Sequence, residues 1–148
     1  MEYYTGLETA ILDGKNKLSL PKTFKDITAI INPPNKTYYA HPSSLIAGPE
    51  TVNILVIYDE LNWGKKFEEF LERPSNDLER LCFVMSKKIK VNSIGRINLT
   101  KHLTRHLGAK AKDMIAYIGN GDCIIAMKEE YIKKFMPTIS PQSYQCNE

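Results

Sequence analysis

The sequence predicts an α+β fold in which two similar strand–turn–strand–helix units flank a pair of amphipathic helices. One observation behind this prediction is an internal repeat, because residues 13–24 align with residues 92–103, 79 positions later, at apolar and charged positions alike. Another is the spacing of apolar residues over 60–72 and from residue 78 onward, which matches one face of a helix. At 148 residues the chain is long enough for one compact domain or for two small units that share a core.

The composition is that of an ordinary globular protein, with 43% hydrophobic and 25% charged residues. The longest apolar run, residues 54–58, is far too short to span a bilayer. Acidic residues interrupt the first part of the chain, which argues against a signal peptide. Three widely spaced cysteines, an odd number, favour a reducing compartment over a disulfide framework. We therefore expect a cytoplasmic protein with no membrane partner.

Positive charge is concentrated in residues 86–112, which hold eight Lys or Arg, two His and no acid. The net charge of the whole chain is only +3, so the remainder carries a net charge of −5. Residues 14–25, the matching part of the first repeat, again hold four Lys and no acid. A solvated lysine-rich face is the usual interpretation of such a run. The recurrence of charged positions in both repeats favours a phosphate-binding surface instead.

In the first repeat a tight turn is predicted at residues 13–16, where Asp, Gly and Asn occur together. Pro21 is predicted to begin a short helix that ends near Ile27. Residues 32–53 contain several Pro and Gly and predict an inserted loop. The predicted strands of this repeat cover residues 7–12, 17–20, 36–40 and 54–58.

Two helices are predicted between the repeats, at residues 60–72 and 78–85. Ser75 or Asn76 is expected to cap the second helix. A wide apolar stripe on the first helix consists of Trp63, Phe67, Phe70 and Leu71. Such a stripe is more than a chain of this size readily buries, so we expect a homo-oligomer larger than a dimer.

The second repeat is predicted to contain a helix from Thr100 to Leu107, with Thr100 as its N-cap and Gly108 as its C-terminal stop. Residues 119–122, Gly-Asn-Gly-Asp, form the strongest hairpin signal in the chain. A short closing helix at 129–135 and a flexible tail at 136–148 are expected to follow. The predicted strands of this repeat cover residues 89–91, 96–99, 114–118 and 123–127.

Lys17 and Arg96 are the sharpest candidates for a functional role, since each follows a tight turn and begins an alternating strand. An Arg can hold a phosphate or a guanine edge through two hydrogen bonds, whereas Lys acts as a point charge. Asp13 is predicted to face Lys17, while Asn92 faces Arg96. A charged bridge is therefore expected in the first repeat alone, which leaves Arg96 to a partner.

The sequence offers no arrangement that predicts catalysis or metal binding. His102 and His106 lie four residues apart, a spacing that can hold a metal, but the sequence supplies no third ligand. We interpret both as additions to the positive surface. Cys82 and Cys123 fall in apolar patterns that are typical of buried thiols rather than nucleophiles. The sequence thus predicts a protein that is not an enzyme and uses no cofactor.

With these residues in view, the chain resembles the MraZ family of bacterial transcriptional regulators. That family fuses two SpoVT-AbrB-type units, each of which carries an Asp-x-x-x-Arg signature. The first signature corresponds to residues 13–17 (Asp-Gly-Lys-Asn-Lys) and the second to residues 92–96 (Asn-Ser-Ile-Gly-Arg). The likeness covers residues 5–135 and includes the linking helices. The departures are Lys17 in place of Arg, Asn16 in place of Gly, and Asn92 in place of Asp.

The resemblance implies an α+β fold in which two pseudo-repeated AbrB-like β-α-β units interleave into a double-split β-barrel, with two linking helices. The implied units are residues 7–58 and 89–132. The linking helices would occupy residues 59–88, and the flexible tail residues 136–148.

The resemblance also implies a sequence-specific DNA-binding transcriptional regulator that acts on direct repeats upstream of the division and cell-wall gene cluster. Its partners would be double-stranded DNA and its own copies in a ring-shaped homo-oligomer at the nucleoid. The candidate DNA-binding residues are Lys15 and Lys17 in the first repeat, Arg96 in the second, and Lys22 and Lys101 near the starts of the two repeat helices. An AbrB-like interaction scaffold or an antitoxin-type partner-binding protein is the alternative. The operator sequence, the number of protomers and the sign of regulation stay open.

Overall fold

A computed structural model describes residues 3–31, 37–72 and 78–135 of the chain. In these ranges the fold is α+β, with a curled antiparallel sheet of six strands and a separate two-stranded ribbon. The strands are β1 (Leu7–Ile11), β2 (Lys17–Ser19), β3 (Thr37–Ala47), β4 (Glu50–Asp59), β5 (Lys87–Lys90), β6 (Arg96–Asn98), β7 (Met114–Gly119) and β8 (Ile124–Lys128). The helices are α1 (Lys22–Ile31), α2 (Glu60–Leu71), α3 (Leu78–Val84), α4 (Lys101–Leu107) and α5 (Ile132–Phe135), the last preceded by a 3₁₀ turn at Glu129–Tyr131.

The strands of the two repeats are interleaved. The order across the large sheet is β1-β7-β8-β4-β3-β5, so β1 from the first repeat pairs with β7 from the second. The ribbon likewise joins β2 of the first repeat to β6 of the second. Although β3 pairs with β4 and β7 with β8 inside their own repeats, β1 and β2 of the first repeat pair with strands of the second. The boundaries of the two units stay a prediction from the sequence.

The predicted strand at residues 36–40 is confirmed for its described part, residues 37–40, but the predicted loop is wrong for residues 41–53. The chain there forms a long hairpin, in which β3 and β4 pair from Tyr38 opposite Asp59 to Ala47 opposite Glu50. Gly48, with a φ of 61°, occupies the first position of its two-residue turn, where a left-handed backbone suits the twist of the strands. Pro42 is tolerated because β5 pairs with β3 only as far as Ala40, so Pro42 lies beyond the end of that neighbour.

Most helix and hairpin predictions agree with the structure, with shifts at their ends. The hairpin at residues 119–122 joins β7 to β8 as expected. Helix α1 continues to Ile31, beyond the predicted end near Ile27. Gly108 ends α4 with a left-handed φ of 69°, and Thr100 lies at the N-cap as predicted, although its side chain makes no capping hydrogen bond. The predicted cap at residues 75 and 76 and the tail at 136–148 lie outside the described residues.

One core is shared by both repeats and lies inside the curled sheet. Leu18 of β2 and Ile97 of β6 are directly opposite each other in the ribbon, and each is 1% exposed. Phe24 of α1 and Leu103 of α4, at equivalent positions of the two repeats, are both fully buried in the same cluster. Because the repeats bury their apolar side chains together, the core fixes the positions of the two turns that precede β2 and β6 relative to each other.

The aromatic stripe of α2 packs within the chain. Trp63 stacks on Tyr39 of β3 and on Phe83 of α3, with ring centroids 4.3 Å and 5.2 Å apart. Phe70 is 1% exposed, whereas Leu71 remains 53% exposed. The stripe thus has a partner surface in its own chain, and by itself it does not require a second copy.

A buried polar cluster ties the N-terminal segment to the sheet. The Tyr4 hydroxyl donates a hydrogen bond to Asp59 Oδ2 at 2.9 Å and lies 2.7 Å from Thr28 Oγ1. Asp59 also caps α2, accepting from the backbone N–H of Asn62 at 2.9 Å. The Tyr38 hydroxyl donates to Thr28, and burial raises the pKa of Tyr38 to about 12. This cluster satisfies a carboxylate that is only 1% exposed.

The protein is expected to lose stability through His41 as the pH falls. Burial against the rings of Tyr58 and Phe83, at 6.1 Å and 5.6 Å, lowers the pKa of His41 to about 4 from 6.5. The unfolded chain therefore binds a proton near pH 6.5, whereas the folded chain binds it only near pH 4. Stability is complete above this window and falls across it by about 2 kcal/mol, allowing for partial solvent exposure.

Urea unfolding at about pH 7 and about pH 4.5 measures this effect in the wild type and in His41→Phe. The variant has no imidazole to protonate, so it should lose less stability between the two conditions. Equal losses in the two proteins would contradict the contribution of His41.

No helix among the described residues is both long enough and apolar enough to cross a membrane.

Candidate nucleic-acid interface

The two turns that precede β2 and β6 have the same hydrogen-bond pattern. In the first, Asp13 Oδ1 accepts from the backbone N–H groups of Lys15 and Lys17, both at 2.8 Å. In the second, Asn92 Oδ1 accepts from Ile94 and Arg96 at 3.0 Å and 2.9 Å. Since an amide holds the second turn as a carboxylate holds the first, the negative charge of Asp13 is not required for the turn itself.

The backbone of the two turns is also equivalent. Asp13 N–H donates to the carbonyl of Lys17 at 3.0 Å, and Asn92 N–H donates to that of Arg96 at 2.8 Å. The matching residues Asn16 and Gly95 have φ values of 62° and 82°. Asn and Gly are the residues that adopt this left-handed conformation most readily, which accounts for their presence at this position.

Each turn also accepts one backbone hydrogen bond from the other repeat. Leu20 N–H donates to the carbonyl of Gly95 at 3.0 Å, and Leu99 N–H donates to that of Asn16 at 2.8 Å. The ribbon between them spans only three residues of each strand, so the turns lie at opposite ends of a short, rigid pair of strands. The fold therefore brings Lys15, Lys17 and Arg96 together on one ribbon, although residues 17 and 96 are far apart in the sequence.

The expectation that Asp13 bridges within the first repeat and leaves Arg96 to a partner is wrong for Arg96. Arg96 Nη1 lies 3.4 Å from Asp13 Oδ2, so the ion pair crosses from one repeat to the other. Hydrogen bonds from the backbone N–H groups of Lys17 and Lys15, with the nearby Arg96 guanidinium, hold the pKa of Asp13 below its usual value. The Arg96 and Asp13 side chains are 42% and 34% exposed, and a pair so open to water contributes little stability.

The remaining lysine candidates lie near the starts of the two repeat helices. Lys22 is exposed, but its Nζ donates to Asp26 Oδ2 at 2.9 Å one turn along α1. Lys101 is exposed on the first turn of α4. Lys15 is exposed and Lys17 is half-buried. Hydrogen bonds therefore fix the backbone of Lys15 and Lys17, whereas the Lys22 side chain already forms an ion pair with Asp26 of its own helix.

The two histidines do not act alike. His106 Nε2 lies 2.8 Å from the carbonyl of Ser43 and 3.0 Å from that of Ile54, so it binds the β3–β4 hairpin. It serves the fold rather than the positive surface, which corrects the interpretation from the sequence, while His102 is exposed.

Within the described ranges, no three His, Cys, Asp or Glu residues lie close enough to hold a metal ion. Burial raises the pKa of the Cys123 thiol to about 11.

Two lysines that the sequence did not predict as site residues, Lys25 and Lys112, also lie near these turns. The Lys25 ammonium lies directly against Gly95, so a β-carbon at residue 95 would require the flexible end of Lys25 to move. Lys112 lies beside the residue that precedes the first turn, since its N–H donates to the carbonyl of Leu12 at 2.7 Å. Both lysines lie in acid-free segments, but helical spacing and charge counts do not show which lysines of a segment lie near the turns in the folded chain.

A scan against models of known protein families finds no match for this chain, and a search of curated proteins finds none either.

Proposed function

We propose that this protein is a DNA-binding transcriptional regulator of the MraZ type, in which two AbrB-like units interleave into a double-split β-barrel. The observation that carries the proposal is the pair of equivalent turns, which present Lys15, Lys17 and Arg96 from one rigid ribbon. A rigid turn loses little conformational entropy when its side chains bind a phosphate backbone. Phosphate contacts fix the register of the protein on DNA, and the Arg96 guanidinium can also reach a guanine edge.

A single protomer offers few phosphate contacts, and weak binding follows from that. We infer that several copies assemble into a closed ring, so that the same pair of turns recurs around it. Direct repeats in promoter DNA would then be bound at several points at once, and each bound turn raises the effective concentration of the next. Control of the division and cell-wall genes through such repeats is part of the same proposal.

The test is binding to the DNA upstream of this protein's own gene, compared with unrelated DNA of equal length, over a series of salt concentrations. We expect tighter binding to the upstream DNA and a linear fall of log affinity with log salt. Binding that ignores both salt and sequence, or no binding at low salt, would contradict the proposal. Light scattering on the same sample gives the molar mass of the assembly. A stable monomer would contradict the ring.

Removing the negative charge of Asp13 is expected to strengthen DNA binding. Asp13→Asn keeps the two backbone hydrogen bonds, as Asn92 does in the second turn, but it releases Arg96 from its ion pair. Because exposed ion pairs contribute about 0.2–1 kcal/mol, the affinity should rise about 1.4- to fivefold. The salt dependence should steepen, since one more cation can reach a phosphate.

The matched variant is Asn92→Asp, which adds a carboxylate to the equivalent turn. By the symmetry of the repeats it would face Lys17 as Asp13 faces Arg96, so binding should weaken. A gain in affinity in this second variant, or a loss in Asp13→Asn, would show that the carboxylate orders the turn for DNA rather than competing with it.

A further inference from the structure

We propose that the turn at residues 110–113 is a second contact to the DNA backbone, made by Lys112 and Lys110; this inference rests on the proposed function. Lys112 has a left-handed backbone with a φ of 73°. The turn lies next to the one that carries Lys15 and Lys17, and its lysines are exposed.

The position of this turn follows from the pairing of β1 with β7. Ile11 is opposite Met114 at the end of the paired strands. The ladder continues beyond them, because Leu12 N–H donates to the carbonyl of Asp113 at 3.0 Å and Lys112 N–H donates to that of Leu12 at 2.7 Å. Lys112 therefore lies across from Leu12, the residue that precedes the first turn, and the two turns share one edge of the molecule.

The backbone of Lys112 is what distinguishes it from an ordinary surface lysine. The other described residues with a positive φ are Asn16 and glycines. A side chain with a β-carbon crowds the following carbonyl in this conformation, so Lys is an unfavourable choice. Glycine would suit the turn better if the turn served the fold alone.

The turn does not need the Lys112 side chain to hold its shape. Asp113 Oδ2 accepts from the backbone N–H of Lys110 at 2.8 Å, and Asp113 N–H donates to the carbonyl of Lys110 at 3.0 Å. These two bonds close the turn through backbone groups and one carboxylate. The ammonium group of Lys112 is thus available for another purpose.

The neighbouring acids have cations of their own. Asp13 lies 3.4 Å from Arg96 Nη1, and Asp113 lies 3.8 Å from the Nζ of Lys128. Lys112 has no ion pair with any residue that the structure describes. Positive groups on two adjacent turns along one edge suit an extended polyanion better than a single small anion, whose donors would converge on one point.

Lys112→Gly tests the inference because stability and DNA binding should move in opposite directions. Relief of the left-handed strain should raise the melting temperature by about 2–4 °C. Loss of the phosphate contact should lower affinity about three- to tenfold at low salt and reduce the salt slope by about one. Lys112→Arg, which keeps the charge, should retain binding.

The control is Lys65→Gln, which removes the same charge from an exposed residue of α2. Lys65 lines the same groove as Asp122, which follows the end of β7 away from residue 113, and its loss should leave the salt slope unchanged. A Lys112→Gly protein that binds DNA like the wild type, or that melts at a lower temperature, would overturn the inference.

Different results would reject the proposed function and the second DNA contact. Wild-type protein without salt-dependent DNA binding would reject both proposals together. Weak binding by a Lys15→Ala, Lys17→Ala double variant, beside normal binding by Lys112→Gly, would reject only the second contact.

Discussion

Replacing Lys15 and Lys17 together by alanine is expected to lower the affinity for the upstream DNA roughly 10- to 100-fold at low salt and to reduce the salt slope by about two. The turn uses only backbone groups of these two lysines: both N–H groups donate to Asp13 Oδ1 at 2.8 Å, and the Lys17 carbonyl accepts from Asp13 N–H at 3.0 Å. The turn should therefore persist without the ammonium groups. What is lost is the positive charge that a phosphate backbone would meet.

The measurement is a fluorescence titration of labelled DNA at several salt concentrations, with circular dichroism to confirm the fold. A matched control is Lys65→Ala with Lys66→Ala, which removes two charges from α2, outside the ribbon that carries the turns. That variant should bind DNA nearly as the wild type does. Similar losses in the two double variants would mean that overall charge, and not this turn, determines binding.

Shortening Leu18 or Ile97 to alanine is expected to destabilise the whole chain by about 2–5 kcal/mol in either case. The two side chains face each other in the ribbon, each 1% exposed, and both belong to the shared core. A cavity at this point removes contacts from both repeats at once. Because strands of each repeat also pair with strands of the other, unfolding should remain a single transition.

Urea unfolding followed by circular dichroism and by Trp63 fluorescence measures both the loss and the cooperativity. Leu71→Ala is the control, since that side chain is 53% exposed and its loss should cost less than about 1 kcal/mol. Two separate transitions would contradict an interleaved core. So would a large loss in one ribbon variant beside a negligible loss in the other.

Local patterns in the sequence were sufficient for the elements and for the turns. Alternation and helical spacing placed most strands and helices within a few residues, and the repeat at residues 13–24 and 92–103 identified two equivalent turns. The physical reason is that a turn with Asp or Asn at its start, and Asn or Gly at its left-handed position, is determined by its own few residues. The acid-free segments also pointed to the positive edge.

The partners of these residues were decided by the tertiary structure. Asp13 pairs with Arg96, 83 residues away, because the strands interleave, and no local spacing predicts that contact. Pro42 lies inside a long strand because its neighbouring strand ends before it, and His106 turns to the β3–β4 hairpin instead of the solvent. Periodicity indicates which face of an element is apolar, but which elements meet depends on how the whole chain buries those faces together.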